Sequence, residues 1–305
     1  MVSQGTNLPT LPDNFLQELG SPDVKPEKLV GSGSSSDVFS AQWQNALVAA
    51  KVLKRRSYCQ HEDAEKRTYR EWYVLKRIGA HPHILQCLGA ARTLYYEPCL
   101  LFELMTSTLQ DRFKCLETDR SFAKYLREIA SGLVFLHRHG LLHGALITKN
   151  IMWKDGTVKI GDFGLAQFVT VEKSLPYATS FVEGTEYMPP EAFSVDHSYG
   201  LPLDVFSFGV LTLACLTRRE PSIRLSAART ELDMDGKATP IAEARRRATD
   251  LHALSRWHPL RPLVLECWNL SPSRRPTVVD VLAQIDRYLS LLTSQSTDGG
   301  KRGKR

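Results

Sequence analysis

The segregation of two hydrophobic periodicities constrains this chain more than any other feature. After Pro26, roughly eighty residues favour strands, with β-branched and aromatic runs such as Val38-Phe39 and Leu47-Val48 separated by Gly and Ser. One helical pattern interrupts them. From Glu62 to Ile78, the positions Ala64, Thr68, Glu71, Leu75 and Ile78 recur at spacings of four and three, so they share one face and put the Glu71 carboxylate on an inward stripe. Beyond Met105 the pattern turns helical, and Phe122, Leu126, Ile129, Leu133 and Leu136 mark a long amphipathic helix that ends at Gly140. Strands followed by helices predict an α+β fold of two lobes, with the cleft between them as the natural ligand site.

A chain of 305 residues, 43% hydrophobic and 24% charged, has enough apolar surface for such a core. The expected organisation is a flexible extension over 1–24, a strand-rich lobe over 25–104, a helical lobe over 105–292 and a disordered basic tail over 293–305. The net charge of +6 has its clearest local source in Lys301-Arg302-Gly303-Lys304-Arg305. That run reads as a solvated tail rather than a nucleic-acid or membrane contact. The six cysteines show no C-x-x-C spacing, which argues against a zinc site or a disulfide framework and for a reducing, cytoplasmic home. The N-terminus does not read as a signal peptide. The longest apolar stretch, Val205 to Leu216, is interrupted by Ser207, Gly209 and Thr212 and falls short of the roughly 20 residues of a membrane span, so it is read as a buried helix.

Three local patterns carry chemistry. Gly31-Ser32-Gly33-Ser34-Ser35-Ser36-Asp37 lies between two strand-like runs, where it is either a plain turn or a hairpin whose backbone N–H groups fold over phosphates. Lys51 closes the apolar strand Val48-Ala49-Ala50, so its ammonium either snorkels to solvent or meets an anion. Glu71 needs a cation, with Lys51 the favoured partner and Arg67, one helical turn earlier, the alternative. Finally, Ile151 to Lys154 and Thr157 to Ile160 are equal arms around Asp155-Gly156, a dipeptide favoured in two-residue hairpin turns. That hairpin brings Asn150 and Asp162 together and offers oxygen ligands suited to Mg²⁺.

His143 to Asn150, HGALITKN, resembles the catalytic loop of protein kinases with Ala145 in the place of the catalytic aspartate. The other family motifs follow in order: the Gly31–Ser36 loop, with Ser36 where a third glycine usually lies; Lys51 and Glu71; Asp162-Phe163-Gly164; and Gly184-Thr185-Glu186-Tyr187-Met188-Pro189-Pro190-Glu191, with Pro189 for the usual alanine. Asp204 looks like the start of the central helix of the second lobe, and Arg275 fits the late arginine that pairs with Glu191. Read without the family, Asp204 after Pro202 is a good helix N-terminal carboxylate. The resemblance covers roughly residues 28 to 290.

It implies ATP as ligand, with Mg²⁺ on Asn150 and Asp162 and Lys51 on the nucleotide phosphates, held by Glu71. It also implies nucleotide contacts from Gly31, Gly33, Ser36, Val38, Ala49, the gatekeeper Phe102 and the hinge residues Glu103 and Met105. Ala145 marks the missing base, so transfer to a protein hydroxyl is expected to be severely impaired. Either an active kinase has lost one residue, or the chain is a natural pseudokinase serving as an ATP-binding scaffold or allosteric signalling module. Subgroup signals conflict: G-T-x-x-Y-M-x-P-E is similar to tyrosine-kinase-like and serine/threonine kinases, Lys149 to tyrosine kinases, and HG-x-x-x-x-KN to the pseudokinase domain of Janus kinases. Ile147 stands where serine/threonine kinases usually have lysine, and Gly144 lacks the arginine that reads a phosphorylated activation loop, so regulation through Ser174, Tyr177, Thr179 or Ser180 is a weak expectation. Protein substrate, signalling partner and oligomeric state are left open.

Overall fold

A computed structural model of the chain describes residues 24–33, 36–54, 61–115, 117–169, 184–193, 200–221, 251 and 254–298. Most of the expected N-terminal extension, the end of the basic tail, Ser34, Ser35 and the four hydroxyl residues of the activation segment lie outside them. The first lobe is an antiparallel sheet of five strands in the order β1-β2-β3-β5-β4: β1 (Lys25–Ser32), β2 (Ser36–Trp43), β3 (Ala46–Leu53), β4 (Cys87–Arg92) and β5 (Pro98–Glu103). Helix α1 (His61–Ile78) joins β3 to β4.

Successive residues of a strand point to opposite faces, and at the central strands β3 and β5 both faces are buried. Val48, Ala50 and Val52 of β3 and Cys99 and Leu101 of β5 build one apolar cluster with Val24, Ala41 and Ala91. The alternate residues Ala49, Leu100 and Phe102 join the larger core, together with Leu75 and Ile78 of α1. Lys51 falls between Ala49 and Leu53 on this second face, opposite Val38 on β2 and Leu100 on β5. Strand period alone therefore delivers a lysine to the side where α1 lies. On α1, Thr68, Glu71, Leu75 and Ile78 are all buried, as their spacing predicts.

After a short β6 (Ser107–Thr108) and α2 (Leu109–Arg112), the long helix α3 (Asp119–Arg138) starts at a Thr118 cap whose side chain accepts the Ser121 N–H. It is followed by β7 (Leu141–Leu142), the hairpin β8 (Ile151–Lys154) and β9 (Thr157–Ile160), and β10 (Gln167–Phe168). The hairpin pairs Ile151 with Ile160 and Lys154 with Thr157. Asp155 and Gly156 both take positive φ, 49° and 75°, the requirement of a type I′ turn and the reason this dipeptide suits it. The hairpin is also fixed to the first lobe: Leu85 N–H donates to the Ile160 carbonyl at 2.8 Å, and Ile160 N–H to the His83 carbonyl at 2.9 Å.

The apolar run 205–216 lies within α4 (Pro202–Thr217), whose residues from Leu203 to Cys215 are all buried. Helices α5 (Arg261–Cys267) and α6 (Val278–Asp298) complete the second lobe. Gly209 lets α4 and α5 approach closely, since a Cβ there would stand 2.6 Å from Cys267 Cβ. α6 continues past residue 293, where a disordered tail was expected to begin, because Leu289 and Leu292 still pack on the core and carry the helix onward. No helix among the described residues is long and apolar enough to cross a membrane.

Candidate active site

Three charged side chains from distant parts of the chain meet at the cleft face of the sheet. Lys51 Nζ lies 2.8 Å from each oxygen of Glu71 and 2.6 Å from Asp162 Oδ1. Glu71 is 3% exposed and Lys51 9%, so neither charge is supported by bulk water. Glu71 also accepts the Phe163 N–H at 3.1 Å. Burial opposes the Lys51 charge, but Asp162 and Glu71 outweigh it and hold its pKa above the ordinary lysine value. Burial likewise works against the Asp162 charge, and Lys51 more than compensates, so that carboxyl sits below its ordinary range. The alternative partner for Glu71, Arg67, is not needed: the cross-sheet lysine satisfies both carboxylate oxygens.

The main chain of the His143–Asn150 loop is held at Ala145 by three hydrogen bonds. The Ala145 carbonyl accepts the Ile147 N–H at 3.0 Å and Asn150 Nδ2 at 2.9 Å, and its N–H donates to His143 Nδ1 at 3.3 Å. The Ile147-to-Ala145 bond closes a three-residue turn that sets positions 145 and 147 beside each other. Beneath the loop, Asp204 is fully buried and accepts the N–H groups of His143 (2.9 Å) and Gly144 (3.0 Å), with His137 Nε2 3.0 Å away. Although burial disfavours its charge, the His137 hydrogen bond leads the contributions that keep its carboxyl below the usual range. The reading of Asp204 as a local helix-start carboxylate is thus incomplete, since its hydrogen bonds go to a loop sixty residues earlier.

Asn150 and Asp162 flank the open end of the β8–β9 hairpin, where Gly161 N–H donates to the Asn150 carbonyl at 2.8 Å. With its amide nitrogen tied to Ala145, Asn150 keeps Oδ1 as its remaining acceptor. Oδ1 of Asp162 takes Lys51 and the Gly164 N–H at 3.4 Å, and the side chain is 38% exposed. Two neighbouring oxygen donors, one charged and one neutral, fit a hard divalent cation that draws its other ligands from phosphate and water.

Of the remaining expected contacts, Val38, Ala49 and Phe102 lie along the cleft face with Lys51, where Val38 is the cross-strand partner of Lys51 and Phe102 that of Ala49. Gly31 pairs with Val38, and the Gly33 N–H donates to the Ser36 carbonyl at 2.9 Å. At the hinge, the Glu103 side chain accepts the Gln86 N–H and the Lys159 ammonium, while Met105 packs against the large core. Two residues escaped the sequence reading. Lys159 ties the hairpin to the hinge, and His143, fully buried, links Ala145 N–H to the Gly161 carbonyl, 3.1 Å from its Nε2. A lone histidine at the head of a motif carries no periodicity that reveals such a bridge.

Burial depresses the proton affinity of His143, so it bridges as the neutral imidazole. The unfolded chain then binds the extra proton first, near pH 6.5, and stability that is full above this pH falls as the pH drops through it. Melting curves between about pH 7.5 and 5.5 should show this loss, with a shallower slope for His143→Gln. Equal slopes would show that this site does not titrate on folding. His81 and His258, whose values are also lowered by burial, contribute to the slope that remains.

Among known proteins, the chain is 26% identical over 255 residues to "Serine/threonine-protein kinase 12" of Arabidopsis thaliana, covering 82% of this chain and 53% of that protein. It is 28% identical over 286 residues to "Dual specificity protein kinase shkE" of Dictyostelium discoideum, with coverages of 89% and 38%. To human "Serine/threonine-protein kinase TNNI3K" it is 26% identical over 293 residues, with coverages of 92% and 33%. The chain therefore spans less than two thirds of the length of these relatives. A family match, described as Protein kinase domain, extends over residues 24–285, which include every residue of the site described above. A lysine gripped by two carboxylates beside this hairpin is thus framed by a family-wide match across most of the sequence, and the chain belongs to the protein kinase domain family.

Proposed function

We propose that the chain binds Mg-ATP in the cleft and that phosphoryl transfer to protein hydroxyls is severely impaired at Ala145. One observation carries this reading: Lys51 joins Glu71 and Asp162 in a buried ionic group suited to phosphate and metal, while Ala145, whose carbonyl holds the Asn150 amide, has no group to take a proton. The ammonium binds phosphate oxygens, and Glu71 keeps it aimed from the sheet. Mg²⁺, when bound, neutralises charge on the nucleotide's phosphates. Asn150 and Asp162 are the residues that would hold it, and the sheet face carrying Val38, Ala49 and Phe102 takes the adenine. The subgroup we favour is tyrosine-kinase-like, in keeping with the serine/threonine and dual-specificity names of the relatives.

The pseudokinase reading also has an observation in its favour. The catalytic loop lacks cations at two family positions, with Gly144 at one and Ile147 at the other, and Ile147 is buried against Gly184. In that reading the nucleotide holds the two lobes together as a scaffold or switch. Thermal melting with and without Mg-ATP tests the binding common to both readings. At a ligand concentration 100 times Kd, mass action stabilises the folded chain by about 2.7 kcal/mol, and unchanged melting at millimolar Mg-ATP would reject nucleotide binding.

A further inference from the structure

The glycine-rich turn is clasped by a cation outside the expected site. Lys54, three residues past Lys51, places Nζ 2.8 Å from Ser32 Oγ, 2.8 Å from the Gly33 carbonyl oxygen and 3.1 Å from Asp37 Oδ1. An ammonium has three hydrogens, and here three acceptors are available to take them. Ser32 and Gly33 belong to the arm leaving β1 and Asp37 to the arm entering β2, where Ser32 and Asp37 are cross-strand partners. The Ser32 hydroxyl first, and Lys54 after it, hold the Asp37 carboxyl below its ordinary range, so it is an anion at neutral pH. Together with the Gly33-to-Ser36 hydrogen bond, the clasp ties the Ser32–Gly33 arm to the Ser36–Asp37 arm.

We infer that Lys54 is a positioning residue for the nucleotide phosphates, holding Ser32 and Gly33 on one arm of the turn to Asp37 on the other before ligand arrives. The inference rests on the Mg-ATP reading given above. An isolated Lys54–Asp37 pair would add little, because each side chain is about a third exposed. Spanning both arms changes this: their spacing is set before phosphate binds, which strengthens affinity without a direct contact. The effect belongs to the phosphates, since the clasp lies on the turn and not along the adenine face.

Calorimetric titration of the full chain with Mg-ATP and, separately, with adenosine tests this. Lys54→Met should weaken Mg-ATP binding about tenfold and leave adenosine binding unchanged. Lys54→Arg should recover part of the loss, and Asp37→Asn, which keeps the lysine and its other two acceptors, should show a smaller loss with the same ligand selectivity. Equal loss for both ligands would mean general damage to the lobe and would overturn the inference, as would unaltered Mg-ATP affinity. If the unaltered chain bound adenosine but gained nothing from the phosphates, the positioning role would fall while an adenine site stood. Binding of neither ligand would remove the nucleotide reading and this inference with it.

Discussion

Replacing Ala145 by aspartate is expected to raise ATP-dependent phosphorylation of a generic protein acceptor by about 10² to 10⁴, or roughly 3 to 5.5 kcal/mol of barrier. The backbone is ready for the change. Its three hydrogen bonds at position 145 run through main-chain atoms, so a carboxylate can be added without rebuilding the loop. Ala145 is 8% exposed, however, and the side chain beside it across the turn is Ile147, so the new carboxylate gains no cation from that neighbour. Incorporation of labelled phosphate by Ala145→Asp and unaltered chain, each with Mg-ATP binding verified, decides between the two readings. A variant that binds Mg-ATP as before yet transfers nothing would establish the pseudokinase reading, and the Ala145→Asp/Ile147→Lys double variant would then show whether the missing cation is the second lesion.

Lys51→Met should abolish the Mg-ATP melting shift and also lower the stability of the empty protein by roughly 3 to 5 kcal/mol, because it strands the buried Glu71 carboxylate and removes the partner of Asp162. For a domain of this size that corresponds to a fall in Tm of roughly 10 °C. Adding Glu71→Gln to Lys51→Met should recover part of the stability, since the stranded charge is gone, but none of the nucleotide shift. Chemical denaturation of these three chains and of Glu71→Gln alone closes a double-mutant cycle. If Lys51→Met melted like the unaltered chain, the three-way ion pair would carry no weight in the fold, and the assignment of Lys51 to phosphate would lose its structural support.

How much could be read beforehand followed the range of each interaction. The β8–β9 hairpin was legible because a two-residue turn is written in adjacent positions, and Asp155-Gly156 tolerates the positive φ it needs. The buried face of α1 was legible from spacing alone, and with it the inward carboxylate. The partner of Glu71 was a choice between a local arginine and a distant lysine, and sheet alternation settled it by bringing Lys51 to the same face. Asp204, His143 and Lys54 were beyond such reasoning, because each works through backbone groups that become neighbours only after the lobes fold. The short strands β6, β7 and β10 were missed for a related cause: two residues are too few to show alternation, and their pairing partners lie elsewhere in the chain.

The seam between His83, Leu85 and Ile160 has a mechanical consequence. Two backbone hydrogen bonds there join the upper sheet's connecting segment to the strand that leads into Asp162. Each is lost after a small displacement of its partners, so this line resists shear of the hairpin against the segment 83–85. Atoms close to this line, including the carboxylate of Asp162 two residues away, share its restraint.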